Sequence, residues 1–234
     1  MKKAGGLMEI IIDALVWLID SENWSGEGSV PQRVYEHLIF SFGAILVAAV
    51  LALPIGYLIG HTGRGQQFVV GLSGATRALP SFGLILALAL FLGVSQREQA
   101  AIISLSLLAF APLLSGAYAG VQAISSETIL SARAQGMTEW QLFFKVELPL
   151  SLGILFGAVR NASLQVIATA TLISYVGLGG LGYEIIQGIP LRRYDQMIGS
   201  ALVVAFLALA IDWLLSKLQK LATPKGVYQF VRTN

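Results

Sequence analysis

Residues 38–60 read LIFSFGAILVAAVLALPIGYLIG, which is 23 consecutive positions without a formal charge. A hydrocarbon layer of roughly 30 Å needs about 20 residues of helix, so this stretch is long enough to cross a bilayer. Helix is the required form, because lipid offers the backbone no partners and the ten-residue alternation of a barrel is absent. Four further uncharged runs follow, at residues 78–96, 99–126, 161–183 and 196–211. The sequence therefore predicts an all-α, polytopic integral membrane helix bundle with five transmembrane helices.

The composition supports a membrane protein and excludes several other classes. Apolar residues make up 56% of the 234 positions and charged residues only 12%, against roughly a quarter charged in a soluble domain. The chain has no cysteine, which excludes disulfides and thiolate chemistry. Its two histidines, His37 and His61, have no second ligand at metal-binding spacing. The net charge of +2 is too small to indicate nucleic acid as a partner.

The N-terminal segment has a different character from the five runs. Residues 7–19 are apolar but include Glu9 and Asp13, and 13 helical residues reach only about 20 Å. We expect a helix that lies in the membrane interface or against the bundle, with residues 20–37 outside. Lys2 and Lys3 would favour a sixth crossing by this helix, which stays open. The expected division is thus 1–37 for the interfacial helix and external segment, 38–221 for the transmembrane domain and 222–234 for a cytoplasmic tail.

The basic residues between the runs predict the orientation, because cytoplasmic loops are enriched in lysine and arginine. One side of a five-span chain carries eight of them: Arg64, Arg77, Arg133, Lys145, Lys217, Lys220, Lys225 and Arg232. The other side carries four: Arg33, Arg97, Arg192 and Arg193. The side with eight is therefore expected to be cytoplasmic, and the C-terminus with it.

The longest cytoplasmic segment, about residues 122–149, is not disordered in composition. Apolar residues recur at helical spacing, Gly136 interrupts them and Pro149 closes the segment before the next span. This pattern predicts two short helices joined at the glycine, started by Ser126 with Glu127 or by Thr138 with Glu139. Such a pair could rest on the bilayer as an amphipathic surface, or it could dock a soluble partner that covers its apolar side chains.

The same segment carries a spaced motif. Leu130-Ser131-Ala132 is followed after three residues by Gly136, and after nine more by Val146-Glu147-Leu148-Pro149. This resembles the cytoplasmic signature of permease subunits of ATP-binding-cassette importers, Glu-Ala-Ala, three residues, Gly, nine residues, Ile, any residue, Leu-Pro. The stretches SARAQGMTEWQLFFKVELPLSLG and ATATLISYVGLGGLG resemble the osmoprotectant branch of that family. Leu130 and Ser131 depart from it, since they replace an acid and an alanine.

The resemblance implies a type I importer permease fold and a role in taking up a compatible solute such as glycine betaine, proline betaine, choline or carnitine. It implies that a loop formed by the signature seats in the ATPase subunits, with eight residues as its candidates: Leu130, Ser131, Ala132, Gly136, Met137, Val146, Leu148 and Pro149. It also implies a second permease chain, identical or related, an extracytoplasmic binding protein and a bacterial inner membrane. The chain has no phosphate-loop motif of its own. We therefore expect no cofactor and no enzymatic activity here, with ATP bound by the partner subunit.

Polar residues within the runs are the candidates for a solute pathway, because polar groups are costly in lipid. Asn161, Gln165 and Thr169 are four residues apart and share one helix face. Hydrogen bonding between helices is the alternative role for them.

The fourth span could also begin earlier, near Leu150, which would place Arg160 at membrane depth. Arg160 could instead reach the interface. Asp212 could likewise be interfacial, or it could pair with Lys217 or with a neighbouring helix.

Glycine patterns add two expectations. Three Gly-x-x-x-Gly pairs would let helices approach closely, namely Gly56 with Gly60, Gly116 with Gly120 and Gly153 with Gly157. Residues 177–182, GLGGLG, formally match a dinucleotide-binding fingerprint, but they follow a membrane-length run rather than a strand. We interpret them as the glycine-rich end of a span.

Two other classes of function were weighed against the transport permease. A stand-alone secondary transporter or channel would be expected to carry paired intramembrane ionisable groups or an inverted repeat. A membrane-embedded enzyme would need a histidine or carboxylate cluster at membrane depth. The sequence displays neither pattern clearly, which favours the permease.

Overall fold

The computed structural model describes residues 6–223, without the side chains of Leu7 and Arg77. All regular structure in this range is helical. The α-helices are α1 (Leu7–Ile19), α2 (Val30–Thr62), α3 (Gln66–Ala78), α4 (Ser81–Leu92), α5 (Arg97–Gln122), α6 (Ser126–Ala134), α7 (Glu139–Leu142), α8 (Leu148–Ala170), α9 (Gly182–Leu191) and α10 (Tyr194–Ala222). Three short 3₁₀ segments (Ser21–Trp24, Val94–Gln96 and Thr171–Val176) and one π-helical segment (Phe143–Glu147) connect them.

Four helices are long and apolar enough to cross a membrane, namely α2, α5, α8 and α10. The described residues contain a fifth crossing if the pair Gln66–Thr76 and Ser81–Leu92, which meet at a bend of 90°, is one broken span rather than a re-entrant loop. The all-helical fold and the approximate number of spans are thus as the sequence predicts. In their most apolar windows α5 is 67% buried and α10 only 11%. We infer that α5 is packed among protein, whereas α10 exposes an apolar face that needs lipid or another chain to cover it.

The uncharged run at residues 78–96 does not form one continuous helix. One helix ends at Ala78 and the next begins at Ser81. Pro80 explains the break, because its ring excludes the residue before it from the helical region. Leu79 accordingly has an extended backbone, with φ −72° and ψ 125°.

For the fourth span the sequence leaves two starts open, at Asn161 or earlier near Leu150, and the structure has the earlier one. Helix α8 begins at Leu148 and ends at Ala170, and a 3₁₀ segment continues to Val176. Pro149 fits in the first turn of the helix, where its missing N–H is not needed. Arg160 therefore lies in the middle of the helix rather than before it, so the absence of charge was a poor guide to where this span starts.

The predicted N-terminal helix is present with the expected bounds, Leu7–Ile19. Ala14 and Trp17 form its buried side, and Trp17 packs so closely on Gly199 of α10 that a Cβ there would overlap the indole. Glu9 and Asp13 are exposed. The predicted tail from residue 224 onward, with Lys225 and Arg232, lies outside the described residues, as do Lys2 and Lys3.

The chain divides into two compact units. The first takes in the described residues up to Ala44 together with Pro80–Leu105 and Gln165–Ala210. The second takes in Ile45–Leu79, Ser106–Leu164 and the described residues from Ile211 onward.

In the first unit the glycine-rich stretch 177–182 forms a turn, not a nucleotide site. Gly177 and Gly180 have positive φ angles of 77° and 86°, which favour glycine. The carboxylate of Glu36 accepts a hydrogen bond of 2.8 Å from the Gly180 N–H. Ser174 and Ser200 donate to the carbonyls of Gly179 and Leu181. The turn is therefore fixed by partners from the protein.

In the second unit two of the predicted glycine pairs mark close helix contacts. A Cβ on Gly56 of α2 would lie 2.6 Å from the Leu114 carbonyl oxygen of α5. A Cβ on Gly120 of α5 would lie 2.8 Å from the Cβ of Ser151 in α8. The backbones of α2, α5 and α8 consequently pack in direct contact, around a core of Tyr57, Ala117, Val121 and Leu155.

We expect Gly116→Ala to destabilise the protein, because the added methyl would overlap the Cβ of Ala158. Overpacking of this kind costs about 1–3 kcal/mol. Thermal unfolding of the detergent-purified protein measures the effect. Gly74→Ala is the matched control, since it also adds one methyl in a helix but has no neighbour within 4 Å. Equal melting temperatures for the two variants would contradict the close packing.

Candidate functional site

The segment between α5 and α8 is an ordered helical loop, and we call residues 123–147 the inter-span loop. Helix α6 ends in a Schellman motif at Gly136, in which the N–H of Gly136 donates to Arg133 O at 2.9 Å and that of Met137 to Ala132 O at 3.3 Å. Gly136 has a φ of +81°. The glycine therefore permits the reversal between the two short helices that its place in the sequence predicts.

The helix caps were predicted correctly for only one of the two helices. Thr138 caps α7 in a reciprocal capping box with Gln141. Helix α6 is capped by Ser125, whose side chain accepts from the Thr128 N–H, and not by Ser126 as predicted. Ser126 is the first residue of the helix, whereas Ser125 precedes it and has the extended backbone of an N-cap.

The signature residues are distributed between the surface and the interior of the inter-span loop and the first turn of α8. Leu130 is 63% exposed, and Ser131 and Gly136 are also exposed. Ala132 is buried, whereas the rest are half-buried, namely Met137, Val146, Leu148 and Pro149. A cleft of about 380 Å³ is lined by residues that include Thr128, Ser131, Met137 and Val146. The loop thus offers both an exposed apolar side chain and a cleft to a binding partner.

Two aromatic residues outside the signature enlarge the exposed apolar surface. Trp140 is 74% exposed, and its ring stacks on that of Phe144 with centroids 5.9 Å apart. Exposed aromatic rings of this kind are typical of binding surfaces. In the sequence, Trp140 is one of the apolar residues that recur at helical spacing.

The sequence analysis missed one electrostatic cluster at this loop. His61, at the end of α2, lies between Glu147 and Glu139, with N–O distances of 2.7 Å and 3.4 Å. Glu139 also accepts two hydrogen bonds from the Arg133 guanidinium, at 3.1 Å and 3.0 Å. The available signal was Glu147, a single acid in the apolar stretch FFKVELPL beside a predicted span. Its partner His61 is 86 positions away in the sequence. No local sequence pattern therefore reveals the contact.

Helix α8 carries a second charged pair within a span. The Arg160 guanidinium donates to both carboxylate oxygens of Asp212 on α10, at 2.8 Å and 2.9 Å, and to Gln219 at 3.1 Å. Gln219 in turn donates to the Gly153 carbonyl at 2.7 Å. The bidentate pair neutralises both charges in a region where lipid cannot solvate them. Of the roles considered for Asp212, pairing with a neighbouring helix is the one that the structure has.

The candidate pathway residues lie along α8. Asn161 and Gln165 are exposed and Thr169 is half-buried. Within residues 6–223, no hydrogen bond joins the side chain of Asn161 or Gln165 to another helix. Their amides are therefore available to a solute, to water or to a second chain.

The described residues contain no group of three histidine, aspartate or glutamate side chains that could hold a metal ion. The cluster around His61 combines one imidazole and two carboxylates with an arginine, and Arg133 neutralises one of the carboxylates. It is an ion-pair network rather than a ligand set.

The long apolar helices and the ordered loop between two of them define a multi-pass integral membrane protein. Residues 52–225 match the family described as binding-protein-dependent transport system inner membrane component. The chain belongs to this family. It is therefore a transport permease and not an enzyme, and the resemblance expected from its sequence is confirmed.

Several known proteins are similar to the chain over most of its length. The carnitine transport permease protein OpuCB of Listeria monocytogenes is 36% identical over 83% of this chain and 88% of its own. The glycine betaine/carnitine/choline transport system permease protein OpuCB of Bacillus subtilis is 31% identical over 86% and 91%. The osmoprotectant import permease protein OsmW of Salmonella typhimurium is 27% identical over 92% and 100%.

A solved structure has the same fold. A chain from the inward-facing MetNI methionine ABC transporter aligns with a TM-score of 0.73 and 23% identity, over 90% of this chain and 98% of that one. The permease fold expected from the resemblance is thereby confirmed.

Proposed function

We propose that the chain imports a compatible solute with a quaternary ammonium group, such as glycine betaine, carnitine, choline or proline betaine. The similarity to permeases named for these solutes supports the class. Aromatic surroundings suit such cations. We further propose that the extracytoplasmic binding protein makes the final selection among these solutes, since the sequence contains no clustered aromatic cage.

The inter-span loop is the proposed docking site for the ATPase subunits. The observation that carries this assignment is an ordered loop whose signature residue Leu130 is exposed beside a cleft, with Trp140 exposed nearby. Exposed apolar side chains alone would also suit an amphipathic pair that rests on lipid. The mixed charges around Glu139 and Arg133 favour a protein partner. ATP is then bound and hydrolysed by that partner, and this chain needs no cofactor.

Two permease chains, identical or related, enclose the pathway in this proposal. The exposed apolar face of α10 and the unpaired amides of Asn161 and Gln165 support a second chain and a polar route beside α8. Thr169 extends the same face. The orientation follows the basic residues, with the inter-span loop and the C-terminus in the cytoplasm and the binding protein outside.

The decisive experiment is solute uptake by proteoliposomes that contain this permease with its ATPase and binding protein. Radiolabelled glycine betaine, carnitine and choline serve as separate probes. We expect uptake of at least one probe only when ATP is enclosed with the ATPase, and no uptake driven by an ion gradient alone. Uptake by the permease without the ATPase would instead establish the stand-alone transporter or channel.

A further inference from the structure

The cluster around His61 connects the inter-span loop to α2. His61 is in the last turn of α2, and its Nδ1 lies 2.7 Å from an oxygen of Glu147, to which an N–H there donates. Its other ring nitrogen lies 3.4 Å from an oxygen of Glu139. Both ring nitrogens therefore face carboxylate oxygens, which can only accept hydrogen bonds.

Glu147 requires a partner because it is buried. It is only 3% exposed, at the end of the π-helical segment that leads into α8. A buried carboxylate is costly unless it is paired and hydrogen-bonded. Within residues 6–223, His61 is its one ion-pair partner, and Arg133 acts on it at longer range. The contact between His61 and Glu147 is therefore expected to be maintained when the loop is displaced.

The cluster extends from His61 to the first half of the loop. Glu139 of α7 faces His61 and is held by both ends of the Arg133 guanidinium from α6. Basic and acidic side chains alternate in the order Arg133, Glu139, His61, Glu147. These contacts thus join α6, α7 and the π-helical segment to a single residue of α2.

Apolar packing between α2 and the loop is incomplete at this place. A cleft of about 650 Å³ opens between Pro54 and Leu58 of α2 and Trp140 of the loop, with His61 and Glu139 on its lining. Phe143 makes the adjacent aromatic contacts, with its ring centroid 5.4 Å from that of Tyr57 and 6.3 Å from that of His61. Since an open cleft transmits little force, the ionic contact beside it is the stiffer link.

We propose that His61 is a positioning residue through which displacement of the inter-span loop is transmitted to α2. The inference rests on the proposed function, in which the ATPase subunits move this loop. Without the His61 imidazole between them, Glu147 and Glu139 have no partner on α2, and the loop can move while α2 stays in place. ATP hydrolysis then continues with less solute transported.

The test compares three variants in proteoliposomes that contain the whole transporter. His61→Gln removes the imidazole and keeps a hydrogen-bonding amide, whereas His61→Lys places a cation there. Thr62→Val is the matched control, since the neighbouring Thr62 hydroxyl donates to Leu58 within α2 and not to the loop. The readouts are co-purification with the ATPase, the rate of ATP hydrolysis and the uptake of radiolabelled glycine betaine, carnitine and choline.

We expect His61→Gln to co-purify with the ATPase and to hydrolyse ATP while solute transported per ATP falls about tenfold, a typical size for energetic coupling between sites. His61→Lys should restore the amount of solute transported per ATP, and Thr62→Val should leave that amount unchanged. If His61→Gln transports as much solute per ATP as the wild type, the inference is overturned and the proposed function is left intact. If His61→Gln fails to assemble with the ATPase, the inference is tested by His61→Lys alone. A low amount of solute transported per ATP in His61→Lys overturns the inference, and a wild-type amount supports it. If the wild-type transporter shows no ATP-driven uptake, both the inference and the proposed function are overturned.

Discussion

We expect Gly136→Trp to abolish ATPase co-purification and to lower solute uptake at least about tenfold, which corresponds to a loss of about 1.4 kcal/mol of binding. Gly136 lies at the exposed reversal of the inter-span loop, and nothing in the described chain lies within 4 Å of a Cβ built there. The indole therefore does not disrupt the core, but it would project from the surface proposed to contact the ATPase. A φ of +81° adds strain of about 1 kcal/mol for a side chain.

A matched control separates docking from strain. Gly63 follows α2, has a φ of +69° and likewise has no neighbour within 4 Å of a built Cβ. Gly63→Trp therefore adds the same bulk and the same kind of strain outside the inter-span loop. We expect it to retain uptake and co-purification, with equal membrane insertion for both variants on fractionation. Normal uptake in Gly136→Trp would remove the docking assignment.

The second large effect is expected at the charged pair within the spans. Arg160→Leu leaves the Asp212 carboxylate at membrane depth without its bidentate partner. An unpaired aspartate in a transmembrane helix costs at least about 2.5 kcal/mol on insertion scales. Because Arg160 and Asp212 are only 31% and 26% exposed, water screens them little. We expect little folded protein from Arg160→Leu, measured as the monodisperse fraction after detergent extraction.

The double variant Arg160→Leu with Asp212→Leu tests whether the charge itself is responsible. It removes both charges, and we expect it to recover most of the folded protein. Arg193→Leu is the surface control, since the Arg193 and Asp195 side chains are 3.7 Å apart and more exposed. Exposed pairs contribute about 0–1 kcal/mol, so the control should fold normally. A well-folded Arg160→Leu single variant would show that the pair has no such role.

Much of the architecture could be predicted because it depends on local sequence. The run at residues 38–60 and the segment Leu7–Ile19 correspond to helices in the structure. Gly136 and Thr138 also have the backbone roles that their positions suggest. Caps, turns and apolar helix length depend on residues within a few positions of each other. Sequence spacing is sufficient to detect them.

The failures have a common physical cause. The start of α8 stayed open between Asn161 and about Leu150, because the sequence does not show what would compensate Arg160 at membrane depth. Its neutralisation by Asp212 lets it lie within the span. The sequence could not show whether Pro80 bends or breaks its helix, because absence of charge does not measure helical continuity. His61 was considered solitary because its two acidic partners are distant in the chain.

The sequence by itself determined that this chain is a helical membrane protein with an ordered loop of permease type, because a lipid solvent restricts every long uncharged segment to helix. Only the tertiary structure decided which charges meet, Arg160 with Asp212 and His61 with Glu147. The free energy of a buried charge depends on its distance in space from an opposite charge. That distance is fixed by how the helices pack and not by the order of residues along the chain.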